Sequence, residues 1–386
     1  MKEIRRIISE ELKQVLDNHS ILLTVLIAPL LYAFLLGSIY MQKDINRISF
    51  AVVDDDNTAA TLHIIRLLEA SPKIGIRAKI HSLEEAREML DRQEINGFLW
   101  FPKDFTKKLL KLQGADVKLY LNTTRFLPSN DLNKAVNIVM MTVGSGVRLR
   151  FFEMHGINPK HAMEMINPVL PEIRPVYNPT NNYGDFLLPG LLFLILQQTL
   201  LIGMGESVSV DNGEKKLAGY LQGEGGVLHY LLGKPAYYLF LYFAYFLVFF
   251  WGVYPLLGVS RGGNMLALLT TGMIFVLTIA MLAIFSGSFI KSQVRYMAIL
   301  AFSTYPFFLI SGYSWPVTAM PWYLQWLAQA VPTTHFLHAG TTIVVKGGSW
   351  QEVAPDIWKL LILLGVFTLM TAWRLKRVKK DEGRRV

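Results

Sequence analysis

Residues 20–40 read SILLTVLIAPLLYAFLLGSIY. This stretch from Ser20 to Tyr40 carries no charge, and a helix needs about twenty apolar residues to cross the hydrocarbon core of a bilayer. It reads as a membrane-spanning helix, and the rest of the chain repeats the signal. Comparable runs lie at about Phe186–Val208, Tyr237–Leu257, Asn264–Ile290, Tyr296–Ser314 and Ile357–Trp373. Of 386 residues, 52% are hydrophobic and 17% charged. That balance belongs to integral membrane proteins rather than soluble ones. The expected fold class is a polytopic α-helical membrane protein with six transmembrane helices, the first at 20–41 and the others within 186–374.

Lysine and arginine set the orientation. Lys2, Arg5, Arg6 and Lys13 precede the first span, and Lys215, Lys216 and Lys234 lie between the second and third. Lys291 and Arg295 separate the fourth and fifth, and a basic tail over 375–386 follows the sixth. The opposite loops carry little beyond Arg261 and Lys346, with Lys359 at the mouth of the last span. The positive-inside rule puts both termini in the cytoplasm of a bacterial cell, with the chain multi-pass in its inner membrane. The net charge of +9 is absorbed by this role. No basic–aromatic surface pattern accompanies it, so no nucleic-acid partner is expected. There is no cysteine, which excludes disulfides, thiolate metal sites and thiol catalysis.

Ahead of the first span, Ile4, Ile7, Ile8, Leu12 and Val15 recur at helical spacing, with Glu3, Arg5, Arg6, Glu10 and Lys13 on the other side. Residues 1–19 thus read as an amphipathic helix in the cytoplasmic membrane interface, the plainer alternative being a solvated helical extension. The first apolar run is too long for a cleaved leader and reads as a signal anchor.

Residues 42–185 form a polar insert, which this topology places outside the cytoplasm. ISFAVVD, IGIRAKI, INGFLWF and DVKLYLN read as strands, alternating with helical patterns in TLHIIRLLEA, SLEEAREMLDRQ and KDFTKKLLKL. Ser82 with Glu85 suggests a capping box. Asn130 to His155 reads as a long helix, and NPVLPEIRPVYNPTNNYGD as the linker into the second span. An α/β extracytoplasmic domain is therefore expected between the first two spans.

Catalytic constellations are missing. Gly226 to Lys234 ends in Gly-Lys, but Pro235 replaces the Ser or Thr of a phosphate loop. His335 and His338 lack a third metal ligand and read as structural. The Asp54–Asp55–Asp56 run lacks EF-hand spacing and reads as a turn. The span centres contain no Asp, Glu, Lys, Arg or His, whereas proton-driven carriers place a titratable group at mid-membrane. Gln197, Gln198, Thr270 and Thr304 stand out as neutral polar residues suited to a pathway for an amphiphile. Helix–helix hydrogen bonding is the alternative reading of each. The largest cytoplasmic loop, 209–235, is too short to be an ATPase but can contact one. Asp211 or Asn212 is expected to cap a short helix carrying Glu214, Lys215, Lys216 and Leu217.

Ser311 to Gly340 is apolar but cut by Pro316, Pro321 and Pro332. Pro321 can open a helix whose one face carries Trp322, Gln325, Trp326 and Gln329. Tryptophan favours the headgroup level, so 315–345 reads as a re-entrant helical hairpin between helices five and six, with Trp315, Pro316, Trp322 and Trp326 at an outer gate. An interfacial anchor is the plainer reading.

GSFIKSQVRYMAILAFSTYPFFLISGYSWPVTAMPWYLQWLAQAVPTTHFLHAGTTIVVKG, residues 287–347, resembles the C-terminal signature of ABC-2 type permeases, the membrane subunits of type V ABC exporters. The likeness rests on Ser292-Gln293, Pro306, Ser311-Gly312, Pro316, Met320-Pro321, Pro332 and Lys346-Gly347. Val53-Asp54 and GFLWFPKDFTKKLL resemble the drug- and lipid-exporter branch. One departure stands out: the family's E-(K/R)-E-x-G-T motif in the first cytoplasmic loop appears here as DNGEKKLAGY. The resemblance implies export of a drug, lipid or peptide, and no catalysis or cofactor in this chain. ATP and Mg would be bound by a separate ABC ATPase subunit, docked on the interfacial helix and the first cytoplasmic loop. A second permease copy or paralogue would complete the dimer. In Gram-negative relatives an adaptor and outer-membrane channel join. Two rival readings are a membrane sensor or scaffold using the insert to bind ligands, and a membrane-embedded transferase, which would need an acid–base cluster near the bilayer.

Overall fold

A computed structural model describes residues 2–40, 45–169, 172, 174–177, 183–222, 225–259 and 262–383, the side chains of Thr304 and Glu382 excepted. Arg261 and part of the linker expected over 167–185 lie outside the described residues. The chain divides into two compact units, Asp44–Arg174 and a second comprising Met1–Lys43 with Pro175–Val386.

Chain order begins with helices α1 (Lys2–Asp17) and α2 (His19–Tyr40). The 44–174 unit follows: β1 (Ile48–Asp54), α3 (Ala59–Glu69), β2 (Ile74–Ile80), α4 (Leu83–Asp91), β3 (Gly97–Phe101), α5 (Phe105–Leu110), β4 (Lys118–Leu121), α6 (Phe126–Met154) and α7 (Pro159–Ile166). Then come α8 (Tyr183–Gly213), α9 (Lys216–Leu221), α10 (Gly226–Leu256), α11 (Met265–Gly287), α12 (Gln293–Ile310), α13 (Trp322–Ala330), α14 (Pro332–Val344) and α15 (Trp350–Gly383).

In the 44–174 unit the sheet order is β2-β1-β3-β4, with β1 parallel to both neighbours and β3 antiparallel to β4. Strand side chains alternate between faces. Ile48, Phe50 and Val52 pack against Ile64, Leu68 and Leu132 of α3 and α6, while Ala51 and Val53 join Ala86 of α4 on the other face. Burial on both faces explains the apolar run Phe50–Val53 within β1. The acidic run is a hydrogen-bonded turn. Asp54 accepts from the Asn57 amide at 2.9 Å and the Thr61 hydroxyl at 2.6 Å, Asp55 accepts from the Trp100 indole at 2.8 Å, and Asp56 accepts from the Thr106 amide at 3.1 Å. Ser82 accepts from the Glu85 amide, but the reciprocal capping box sits at Thr58 and Thr61.

In the helical unit, α2, α8, α10, α11 and α15 are long and apolar enough to cross a membrane. This makes the chain a polytopic helical membrane protein. The run expected at about Tyr296–Ser314 is α12, of 18 residues, with Gln293 and Arg295 in its first turn; it is not among those five.

Prolines shape these helices. Pro29 has no N–H, so the Val25 carbonyl loses its helical donor. The chain widens into a π turn over Leu23–Ile27, and the Tyr245 hydroxyl donates to the Val25 and Leu26 carbonyls at 2.9 and 2.7 Å. A second π turn, Phe249–Val253, precedes Pro255. In α8 the Tyr313 hydroxyl enters the helix ladder: the Gly190 amide donates to it at 3.1 Å and it donates to the Phe186 carbonyl. A Cβ at Gly190 would fall within 2.2 Å of the Tyr313 ring, so only glycine admits this insertion.

The proline-broken stretch separates into a turn at Val317–Ala319 and two helices of opposite character. On α13, Trp322 and Trp326 are 73% and 74% exposed. Helix α14 is buried along most of its length, and Phe336 stacks on Phe275 with centroids 4.1 Å apart.

Candidate functional site

Three distant helices meet around one lysine. On α1 the buried positions are Ile7, Glu11 and Val15. Glu11 therefore falls on the apolar stripe, at the same helical spacing as its neighbours. Across from it, Lys234 of α10 is 2% exposed. Its ammonium pairs with Glu11 and, at 2.6 Å, with Asp211 of α8. Tyr238 donates to Glu11 at 2.7 Å and Tyr230 to Asp211 at 2.9 Å. The Ser207 hydroxyl also donates to Glu11, at 2.7 Å, and the Gln14 amide reaches Ser207 at 3.0 Å. A buried ion pair persists only when both charges are matched and hydrogen-bonded, and removing one partner costs about 3–5 kcal/mol. This seam holds α1 against α8 and α10.

A second network lies beside it. Glu206, buried on α8, accepts from the Ser20 hydroxyl at 3.1 Å and the Gln293 amide at 3.2 Å. Gln293 and Asn18 exchange hydrogen bonds at 3.0 and 3.1 Å, so α2, α8 and α12 are joined at one level.

Over the seam opens a polar cleft of about 820 Å3, lined by Glu10, Lys13, Asp17, Glu214, Lys216 and Tyr220 among others. Glu214 pairs with Lys216 at 2.6 Å, and this bond raises the lysine's proton affinity above its ordinary value. Burial and the Glu10 carboxylate, which accepts from Tyr220 at 2.5 Å, push that phenol up.

The expected loop residues divide between seam and cleft, with corrections. The 209–235 loop is mostly helical: α8 runs to Gly213 and α10 begins at Gly226. Asp211 and Asn212 lie inside α8 and do not cap α9. The residue before α9 is Lys215, left-handed at φ 62° and making no cap bond. Asn212 instead donates to the Ser288 and Ile290 carbonyls, at 2.9 and 3.2 Å, beyond the end of α11. Leu217 is buried in the helical core. Lys234, counted among the basic residues that set topology between the second and third spans, sits in the seam because two carboxylates replace its water.

A model of the family described as ABC-2 family transporter protein matches residues 19–373. The chain belongs to that family. It is 24% identical over 342 residues to the probable multidrug ABC transporter permease YbhR of Escherichia coli K12, covering 88% of this chain and 89% of that one. A shorter match, 31% over 111 residues, covers 29% of this chain and 28% of the linearmycin resistance permease protein LnrN of Bacillus subtilis 168. The inner membrane transport permease YhhJ of Escherichia coli K12 is 26% identical over 96 residues, a quarter of each chain. The protein is therefore an integral membrane permease of an ABC transporter, and its family implies an ABC ATPase partner.

The expected pathway residues of this ABC-2 permease differ in their surroundings. Gln197 is buried and accepts from Thr333 of α14. Gln198 is buried with neither amide atom hydrogen-bonded. Thr270 is half-buried, and the Thr304 side chain lies outside the described residues. At the expected gate, Trp315, Pro316, Trp322 and Trp326 are exposed. His335 and His338 are structural partners of Asp356: His338 Nδ1 lies 2.6 Å from Asp356 Oδ2 and His335 Nδ1 3.8 Å from Asp356 Oδ1. Sequence reasoning missed Glu11, Lys234 and Asp356. A signal existed for the first, a carboxylate at stripe spacing, and for the second, a lysine inside the apolar run HYLLGKPAYYLF.

Proposed function

We propose that this permease is the membrane half of an ATP-driven exporter of amphipathic or hydrophobic molecules. In this reading α12 is a sixth crossing, both termini are cytoplasmic in a bacterial inner membrane, and 44–174 is extracytoplasmic. A second copy or paralogue completes the dimer. An adaptor and an outer-membrane channel extend the path in a Gram-negative cell. The proline-broken stretch dips into the outer leaflet, with Trp315, Pro316, Trp322 and Trp326 near the exit and Gln197, Gln198, Thr270 and Thr304 along the path. The similarity to YbhR, a probable multidrug ABC transporter permease, over nearly the whole of both chains supports export of this substrate class.

One observation carries the coupling step: the Glu11–Lys234–Asp211 seam beneath the polar cleft. An ATPase seated in the cleft, against α1 and Glu214–Leu217, would press on a helix fastened to two membrane helices. The seam carries that push without slack, because a buried ion pair cannot slide without exposing charge. Nucleotide binding in the partner supplies the free-energy difference between conformations.

The test is co-purification followed by reconstitution. The full chain should bring down a nucleotide-binding subunit, and the pair should concentrate a hydrophobic dye in vesicles only with ATP. Replacing Glu214, Lys215 and Lys216 with alanine should leave the chain folded and the ATPase turning over while dye accumulation falls about tenfold or more, the loss of roughly 1.4 kcal/mol of coupling. Normal accumulation in that triple variant refutes the coupling surface. Reproducible absence of any ATPase favours a sensor or scaffold.

A further inference from the structure

A cavity of about 260 Å3 opens within the 44–174 unit, between α5, residues 112–117 and the middle of α6. Phe105 and Leu109 of α5 line it together with Val143 and Val147 of α6. Leu112, 39% exposed, lines it as well, so apolar surface stands open to water here. The α6 residues on its wall run from Met140 to Arg148. At 1.5 Å per residue that stretch is about 12 Å long. The cavity is a slot along the helix, with a charge at one end of it.

Two residues of α6 give the slot its character. Gly144 lies in the interior of a 29-residue helix, where glycine costs backbone entropy that alanine does not. A Cβ there would meet nothing within 4 Å, so no close packing calls for glycine, and the missing side chain leaves the slot open. Arg148 is the one charged side chain on the wall. Among the described residues it makes no ion pair or hydrogen bond. Its own helix offers no carboxylate, because the positions three and four away hold Ser145, Gly144, Phe151 and Phe152. Asp116, between two residues that line the slot, is not on its wall, and Asp104 pairs with Lys107 at 3.9 Å.

We propose that this slot binds a single-chain amphiphile with an anionic head, its hydrocarbon lying over Gly144 and its head on the Arg148 guanidinium. The guanidinium presents its N–H donors in a planar fork that fits the paired oxygens of a carboxylate or a phosphate. Volume limits the tail. Pockets for drug-sized ligands span about 300–1,000 Å3, so 260 Å3 holds one hydrocarbon chain and not the two of a bilayer lipid. Removal of the apolar wall and the tail from water supplies most of the affinity. The arginine is exposed, and water screens its pairing, so it acts chiefly by selecting the sign of the head. The site is built within one unit and needs no ATPase, so its failure and the failure of the transport reading are separate outcomes.

The probe is decanoate, titrated into the full chain in phosphatidylcholine nanodiscs and read by NMR of methyl-labelled methionine. Met140 lines the slot, whereas Met154, 78% exposed, does not and serves as the control for non-specific contact. The Met140 signal, assigned with Met140→Leu, should shift saturably while Met154 stays in place. Decanol should bind about threefold more weakly, the worth of an exposed ion pair, and decyltrimethylammonium more weakly still. Arg148→Gln should abolish the preference for decanoate over decanol. Gly144→Leu fills the slot and should weaken decanoate at least about tenfold at an unfolding temperature no lower than wild type, since leucine favours a helix over glycine. Arg148→Gln changes an exposed side chain, so it decides the matter if Gly144→Leu misfolds. A Met140 shift that follows Met154 without saturating, a head-group preference that survives Arg148→Gln, or wild-type affinity in a folded Gly144→Leu protein overturns the proposal. A slot that answers to none of the three chains overturns it in favour of a protein side chain as the occupant.

Discussion

The helical unit holds two charged clusters built in opposite ways. Glu11, Lys234 and Asp211 come from three helices far apart in the chain, and all three are enclosed. His335, His338 and Asp356 come from neighbouring helices α14 and α15, and His338 is 62% exposed beside a cavity. The first cluster satisfies its charges internally and acts as a fastening. The second pairs its charges beside open space, where water can reach them. Enclosure makes the difference: a buried charge without its partner has no water to fall back on, whereas one at a cavity wall does.

The largest effect should come from breaking the enclosed cluster. Lys234→Ala leaves Glu11 and Asp211 buried without their cation, and should lower stability by about 3–5 kcal/mol. Thermal unfolding of the detergent-solubilised protein measures it. Combining Lys234→Met with Glu11→Gln and Asp211→Asn should recover much of that loss, because no charge is then stranded. A triple variant as unstable as the single one would mean packing, and not charge, holds the seam.

A smaller effect separates the second cluster. Asp356→Asn keeps the shape and can be hydrated from the cavity, so it should cost about 1 kcal/mol in the same unfolding experiment. A loss as large as that of Lys234→Ala would erase the contrast between the clusters.

The smallest effect lies in the 44–174 unit and shows what a hydrogen-bonded turn does without enclosure. Burial opposes ionisation of Asp56, but hydrogen bonds from the Thr106 hydroxyl and amide and the Thr58 hydroxyl prevail and hold its carboxyl below the ordinary range. A folded value below the unfolded one, about 3.9, stabilises the fold above that pH and loses the contribution as pH falls through the folded value. Asp56→Asn should destabilise the unit by about 1 kcal/mol near neutrality and flatten its acid sensitivity below about pH 4. Hydrogen exchange of β1 and α5 amides reads both, and an unchanged acid profile would assign that sensitivity elsewhere.

The sequence by itself determined the membrane class, the apolar helices, the alternation of strands and helices in 44–174, and the family signature around Gln293 and Pro332. These are local: a run of apolar residues or a period of two or 3.6 is written in neighbours. Only the tertiary structure decided that Lys234 is not a solvated charge, that Asp211 and Asn212 lie within α8, and that α14 is enclosed while α13 is exposed. A side chain's charge is the same in loop and core, and what it does depends on which distant groups take the place of water. For Lys234 those groups are Glu11 and Asp211, whose approach is set by the packing of α1, α8 and α10, and no sequence neighbour of the lysine announces them.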